Sequence, residues 1–335
     1  MSGKVKIHSI KALESALDNE KDITRREQLR MLLDEMAEIY PDESEIPDDP
    51  YKLFYTPEYW KKKLKKSVVM GIKGHSSHGK TFEALSASHL TPKYIDYEFK
   101  GISTKERENF KKFVDEFYSF TPVWVIGCEQ STHECLTSMD NEGYFEHANI
   151  NYIEIQAKGK GLSFVDHVKT YKNFLIAMYS LANIKGGTII IDPISAVLNA
   201  QHEILRRVIM KVPSVKREQG IPTRYWFWRN TEQEGIMFFG RIVEANFIFT
   251  VKVITQHLEG GVDIEKIRWH EETNKHLASI IINNNKIPNK NIFMSTIEKC
   301  RLNNNLVNKT YENMTLPNFM YNLYLSKKQI KSKRS

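Results

Sequence analysis

The hydrophobic and polar positions of the chain follow a helical spacing near its amino terminus. In residues 9–39, apolar side chains recur three or four residues apart, as at Ile10, Leu13 and Leu17, which predicts two helices or one broken helix. The stretch PDESEIPDDP follows, and its prolines and acidic residues are typical of a linker. The pattern therefore predicts a small helical segment with a linker over residues 1–50.

Short apolar runs alternate with helical patterns over residues 51–280. The predicted strands are SVVMGI, KYIDYEF, TPVWVIG, NYIEIQ, GGTIIID and TRYWFW. The predicted helices between them are KTFEALSASH, STKERENFKKFVDEFYSF, SFVDHVKTYKNFLIAMYSLA and QHEILRRVIMKV, and a hairpin of NFIFTVKVITQ and IEKIRWHEE follows. Such alternation indicates βαβ units, so the fold class expected for this core is α/β, with a mainly parallel sheet covered on both faces.

Residues 281–335 differ from the rest in composition. They hold 10 Lys or Arg and 2 Glu, a net charge of +8, whereas the whole chain carries +7, so the other residues sum to −1. They also hold 12 Asn. We expect a basic, Asn-rich and partly disordered tail after the core, and an anionic partner such as nucleic acid.

The remaining composition bears on the compartment. The apolar runs are far shorter than a membrane-spanning helix, and the amino terminus has no signal-peptide stretch. Three cysteines, an odd and small number, indicate a reducing compartment without a disulfide framework. We therefore expect a cytoplasmic protein, in the host cytoplasm if it is viral, with no membrane partner.

The segment GHSSHGKT, between a predicted strand and a predicted helix, fits the phosphate-loop pattern G-x-x-x-x-G-K-[ST]. Glycines let main-chain amides face phosphates, and the helix amino terminus adds positive potential. Lys80 is expected to contact the β- and γ-phosphates of ATP, and Thr81 to offer its hydroxyl to Mg²⁺. The residues predicted to bind ATP in this segment are Gly74, His75, Ser76, Ser77, His78, Gly79, Lys80, Thr81 and Phe82.

The segment GGTIIIDPIS supplies the second half of such a site. Asp192 ends an apolar strand and is expected to hold Mg²⁺ through water. The next residue is Pro193, where many P-loop motors have a glutamate, so the base that activates water must lie elsewhere. Glu98 is the candidate, because it ends the predicted strand KYIDYEF and ligands bind at the carboxyl ends of parallel strands.

In this order, GHSSHGKT, IDYE and IIIDPISAVL resemble the motifs of the RecA superfamily of P-loop ATPases, over about residues 66–255. The resemblance is to compact RadA- or KaiC-like members. It implies a RecA-like core with ATP and Mg²⁺, and Glu98 as the catalytic base beside Lys80. It also implies Asn230 or Gln233 as the γ-phosphate sensor, with Arg229 as a further candidate. It also implies hydrolysis coupled to DNA in recombination, strand annealing or replication, including that of a virus or mobile element. A homo-oligomeric ring or filament stays open.

Other functions stay open at this point. A viral genome-packaging ATPase would fit a basic chain, but Pro193 stands where such motors have a glutamate. A small-molecule P-loop kinase would need an arginine-rich lid, and the sequence shows no such cluster. A non-hydrolysing, ATP-gated regulatory module would keep the loop without needing Glu98. Cys128, His133 and Cys135 have an irregular spacing for zinc, and we expect them to be buried or idle instead.

Overall fold

The computed structural model describes residues 8–39, 65–141, 149–156, 164–209, 223–257, 263–267 and 277–332. The chain divides into two compact units, Met1–Leu64 and Lys65–Ser335. The first contains α1 (His8–Asn19) and α2 (Ile23–Ile39), so the two-helix alternative of the prediction is confirmed. The carboxylate of Asp22 accepts a hydrogen bond from the main-chain N–H of Arg25 at 2.9 Å and caps the start of α2.

The second unit is built on a sheet whose strand order is β3-β2-β4-β5-β1-β7-β8-β9, with β6 paired to β5. The strands are β1 (Val69–Gly74), β2 (Val123–Gly127), β3 (Ile150–Glu154), β4 (Lys185–Asp192), β5 (Glu244–His257), β6 (Asp263–Ile267), β7 (Ile280–Lys286), β8 (Phe293–Cys300) and β9 (Thr310–Glu312). Neighbouring strands from β3 to β7 are parallel, and β8 and β9 are antiparallel. The mainly parallel α/β sheet and the β5–β6 hairpin are therefore confirmed.

Helices cover both faces of this sheet. They are α3 (Lys80–Leu85), α4 (Pro92–Glu98), α5 (Thr104–Val114), α6 (Gln130–Asn141), α7 (Phe164–Ser180), α8 (Ile194–Ile209), α9 (Thr223–Ile242) and α10 (Leu316–Ser332). Val69 packs in the hydrophobic cluster of α7–α9, whereas Met70 and Ile72 pack in the cluster of α5 and α10. This two-sided burial explains why the strands read as unbroken apolar runs. Within the described ranges, no helix combines the length and apolar character needed to cross a membrane.

Two predicted strands are helices in the structure. KYIDYEF lies mainly in α4, which starts at Pro92 and is capped by the Thr91 hydroxyl, an acceptor for the main-chain N–H of Tyr94 at 3.2 Å. TRYWFW begins α9, a helix of 20 residues. Aromatic and β-branched residues favour strands only weakly. In the first segment, the Thr91–Pro92 start signal outweighs that preference.

The predicted separation of residues 281–335 from the core is also wrong. This segment supplies most of β7, all of β8 and β9, and α10, and it extends the sheet beside β1. Ile282 and Ile297 of the strands and Phe319 of α10 are fully buried. Its asparagines are not all solvated either, since the Asn303 amide donates to the Ser326 hydroxyl at 2.7 Å in the interior. The polar composition therefore concealed a folded part of the core.

We predict that Phe319→Ala destabilises the second unit. The side chain has no exposed surface, and truncation of a buried phenylalanine costs about 3–5 kcal/mol. Urea denaturation measures the loss, with the exposed Lys309→Ala as the control in the same segment. A loss below about 1 kcal/mol for Phe319→Ala would show that α10 is dispensable to the core.

Candidate nucleotide-binding site

The carboxyl ends of β1, β2 and β4 lie beside β5 at one edge of the sheet. Lys252 of β5 lies opposite Gly74 of β1, and Gly127 of β2 lies opposite Asp192 of β4. A cavity of about 320 Å³ opens above these ends. It is lined by Ser76, Ser77, His78, Gly79, Lys80, Thr81, Phe82, Glu129, Ser131, Cys135, Asp192, Pro193, Thr250 and Lys252.

Both glycines of the loop are required by its geometry. A Cβ at Gly74 would lie 2.5 Å from the main-chain oxygen of Asn284 in β7. Gly79 has a φ of +75°, and a Cβ there would lie 3.2 Å from the ring of Phe293. The loop thus runs closely against β7 and β8, and its main chain reaches the start of α3 at the cavity.

The Lys80 side chain is a buried cation at the cavity. Its ammonium donates to the main-chain oxygen of His75, inside the same loop. The pKa of Lys80 is lowered to about 8, chiefly by burial of its ammonium. The negative charge of Asp192 acts to raise this pKa, and the positive charge of Lys252 acts to lower it. A cation held in this way is poised to gain favourable contacts from an anion such as a phosphate.

Three hydroxyl groups converge on the carboxylate of Asp192. Thr81 of α3 and Thr132 of α6 each donate to its Oδ2 at 2.9 Å. Thr250 of β5 donates to its Oδ1, and the carboxylate is almost fully buried. These bonds join the phosphate loop to three other elements at one point.

This arrangement fits Mg²⁺ and the phosphates of ATP. Hydroxyl and carboxylate oxygens are the ligands that Mg²⁺ prefers, and the structure brings Thr81 and Asp192 together. The glycine-dependent loop and the Lys80 ammonium suit a phosphate chain. The donor set expected from the sequence is therefore assembled.

Glu129 and Lys252 form an ion pair on the cavity wall. Glu129 follows β2 at a fixed position, because the main-chain N–H of Cys128 donates to the main-chain oxygen of Asp192 at 2.7 Å. The sequence prediction missed both residues. The signal was present, since VWVIG is followed directly by a cysteine and this glutamate, and Lys252 lies within the apolar run of β5.

The structure does not bring two of the predicted site residues to the cavity. Glu98 lies at the end of helix α4, half-buried, and burial raises the pKa of its carboxyl. Asn230 lies within α9. Neither lines the cavity, because the strands that were expected to carry them there are helices. Of the nine predicted loop residues, the seven from Ser76 to Phe82 line the cavity, whereas Gly74 and His75 do not.

A buried polar network supports the loop on its other side. Glu83 of α3 accepts hydrogen bonds from the Asn284 amide at 2.7 Å and the Ser295 hydroxyl at 3.3 Å. Its burial raises the pKa of the carboxyl to about 7. The His78 ring contacts the main-chain oxygen of Asn284 at 2.9 Å. Sequence reasoning missed this network because Asn284 lies in a run of three asparagines that looked solvated.

Cys128 precedes α6, and Cys135 lies within it. In the described parts of the chain, no three His, Cys, Asp or Glu side chains are grouped to hold a metal ion. Cys128 is buried, and burial raises the pKa of its thiol well above the ordinary value. The Cys135 sulfur lies 3.7 Å from the Met139 sulfur on the same helix. Cys128 is thus a buried thiol, whereas Cys135 is partly exposed and lines the cavity.

No family model and no curated protein matches this sequence. Solved structures similar to it include the flagellar accessory protein FlaH from Methanocaldococcus jannaschii, with a TM-score of 0.31, 15% identity, and coverage of 73% of this chain and 84% of that one. The RadB recombinase gives a TM-score of 0.36 and 10% identity, over 75% and 88% of the two chains. A prototypical ATPase from the type III secretion system of pathogenic bacteria gives 0.34 and 12%, over 65% of this chain and 51% of that one.

The class of the fold follows from the chain's own geometry. The phosphate loop follows β1. In the sheet, β5 lies between β1 and β4, the strand that ends in Asp192, and β2 lies on the far side of β4. With the loop residues and Asp192 joined at the carboxyl edge, this is the RecA-like P-loop ATPase fold that the motifs predicted.

We predict that ATP binding takes up a proton at alkaline pH through Lys80. The phosphates raise the lowered pKa, so above about pH 8 the largely neutral amine becomes protonated, whereas at pH 7 it already carries its proton. Calorimetry in buffers of different ionisation enthalpy measures the uptake. Lys80→Arg is the control, because arginine stays charged and should show no pH-dependent uptake of this kind.

Lys80→Ala should lose most of the ATP affinity in the same assay, because it removes the buried cation. Affinity equal to that of the wild type would mean that Lys80 does not contact the phosphates.

Proposed function

We propose that the protein binds and hydrolyses ATP with Mg²⁺ and couples this reaction to nucleic acid, with DNA as the expected polymer. The proposal is carried by the hydrogen bond of 2.9 Å between Thr81 and Asp192. It joins the phosphate loop to the strand end, at a cavity that also contains Lys80 and Glu129.

Lys80 binds the β- and γ-phosphates in this proposal, and the main-chain amides at the start of α3 bind phosphate oxygens. Thr81 and Asp192 would hold Mg²⁺, which when bound neutralises charge on the phosphate chain. Thr132 and Thr250 keep the Asp192 carboxylate in one orientation, because each donates a hydrogen bond to it.

Glu129 replaces Glu98 as the proposed base. The RecA-like resemblance assigns this role to a glutamate at the end of the second strand, and the second strand of this chain is β2. Glu129 follows it, next to the strand that ends in Asp192, and its side chain lines the cavity. As the base, it accepts a proton from the water that attacks the γ-phosphate.

Lys252 replaces Asn230 as the proposed sensor of the γ-phosphate. It lies on β5, the strand between β1 and β4, and its ammonium faces the cavity close enough to Lys80 to affect its pKa. Lys252 is also ion-paired with Glu129. A contact between Lys252 and the γ-phosphate would therefore affect where the carboxylate of the proposed base lies.

Coupling to nucleic acid is supported by charge. Residues 281–335 carry the excess positive charge of the chain, and several of their cations lie on β7, β8, α10 or the loops between them. ATP turnover measured without polymer and with single-stranded DNA, double-stranded DNA or RNA tests the coupling. A rate that no polymer changes would contradict it. A non-hydrolysing module is less well supported, since it has no need of Glu129 at the cavity.

We predict that Glu129→Gln keeps ATP binding and loses hydrolysis. The amide has nearly the shape of the carboxylate but cannot accept the proton, so turnover should fall roughly a hundredfold or more. Filter binding measures ATP affinity, and phosphate release measures turnover. Glu98→Gln is the matched control and should turn over ATP near the wild-type rate. The reverse result would return the base to α4.

A further inference from the structure

The β7–β8 hairpin borders the phosphate loop on the side away from Asp192. In the sheet, β5 and β4 lie on one side of β1, and β7 and β8 lie on the other. Phe293, at the start of β8, pairs with Lys286, at the end of β7. Since β7 runs parallel to β1, both residues lie at the edge of the sheet where the phosphate loop follows β1.

The ring of Phe293 packs directly on this loop. A Cβ at Gly79 would lie 3.2 Å from the Cγ of the ring, and 3.3 Å and 3.5 Å from its two Cδ atoms. The glycine therefore meets the ring near its attached end, and the outer ring atoms lie farther from it. The side chain is partly exposed, and the Lys286 ammonium lies 5.7 Å from the ring centre. A partly open aromatic surface thus adjoins the phosphate loop.

The strand register fixes the face of the sheet on which this ring lies. Ser295 follows Phe293 by two residues on β8, and side chains two residues apart on a strand share a face. The Ser295 hydroxyl donates to Glu83 of α3 at 3.3 Å, so α3 covers this face. Phe293 is therefore on the same side of the sheet as α3, next to the residues where that helix begins.

The chemistry of the cavity gives a bound nucleotide a direction. In the function proposed above, the terminal phosphate lies near Glu129 and Lys252, which line the cavity beside β2 and β5. From there the phosphate chain follows the loop across β1, and β7 is the next strand beyond β1. The base is at the far end of the nucleotide, so it comes to the side of the loop where Phe293 lies.

We propose that Phe293 is the stacking surface for the base of the bound nucleotide. The inference rests on the ATP binding proposed above and names how the base is held, through its flat face rather than through hydrogen bonds to its edge. The Lys286 ammonium gives way to the base, because its side chain is exposed and flexible. Every base has a face that can stack, so the site accepts GTP as well as ATP.

Calorimetric titration of the whole protein in Mg²⁺ with ATP, and separately with inorganic tripolyphosphate, separates the base from the phosphates. Tripolyphosphate has no base, so the ratio of the two affinities measures what the nucleoside contributes. Phe293→Leu keeps an apolar side chain against Gly79 but removes the ring. It should weaken ATP binding roughly tenfold and leave tripolyphosphate binding within about twofold of the wild type.

Two further variants serve as controls. Phe293→Tyr keeps the ring and should bind both ligands within about twofold of the wild type. Met294→Leu changes the next residue of β8, whose side chain lies on the opposite face of the sheet, and it should leave both affinities unchanged.

The outcomes that would overturn the site are distinct from those that would overturn ATP binding. Equal losses of ATP and tripolyphosphate in Phe293→Leu would show that the ring only supports the loop. A selective loss of ATP in Phe82→Leu instead would place the base on α3. A preference for ATP over GTP above about a hundredfold would mean that the base edge is read. Binding of neither ligand by the wild type would contradict the proposed ATP binding itself, whereas equal affinities for both would remove only the base site.

Discussion

The buried carboxylate of Asp192 holds the nucleotide-binding edge of the molecule together. It accepts hydrogen bonds from hydroxyl groups of α3, α6 and β5. The main-chain oxygen of the same residue accepts a hydrogen bond from the N–H of Cys128, which fixes the chain just before Glu129. A buried carboxylate without partners is costly, so each of these bonds is needed for stability as well as alignment. The position of Thr81 and the direction of Glu129 both follow from this one group.

The motifs that depend on local geometry were predictable from the sequence. A glycine-rich loop between a strand and a helix, and an aspartate at the end of an apolar strand, specify their own surroundings, and the structure brings Lys80, Thr81 and Asp192 together. Glu98 and Asn230 were assigned through the RecA-like resemblance, in or just after segments that residue preference predicted to be strands. The Thr91–Pro92 start signal of α4 identifies that segment as a helix, and it outweighs the aromatic and β-branched residues that favoured a strand.

Composition alone could not show that residues 277–332 fold into the core, because that depends on which side chains are buried against which. Asparagines and lysines suggested a solvated tail, yet Asn284 and Asn303 are buried with partners, and the apolar side chains between them complete the sheet and cover it. Part of the excess charge therefore lies on β7, β8, α10 and the loops between them.

The central claim is that Thr81 and Asp192 jointly hold a divalent ion with ATP. Electron paramagnetic resonance of Mn²⁺, used in place of Mg²⁺, measures it directly by counting bound ions as ATP is added. The account predicts that ATP creates one tight Mn²⁺ site per chain and that Thr81→Val, which keeps the shape of the side chain but removes its hydroxyl, weakens that site roughly tenfold or more. Equally tight ATP-dependent Mn²⁺ binding in Thr81→Val and the wild type would contradict it.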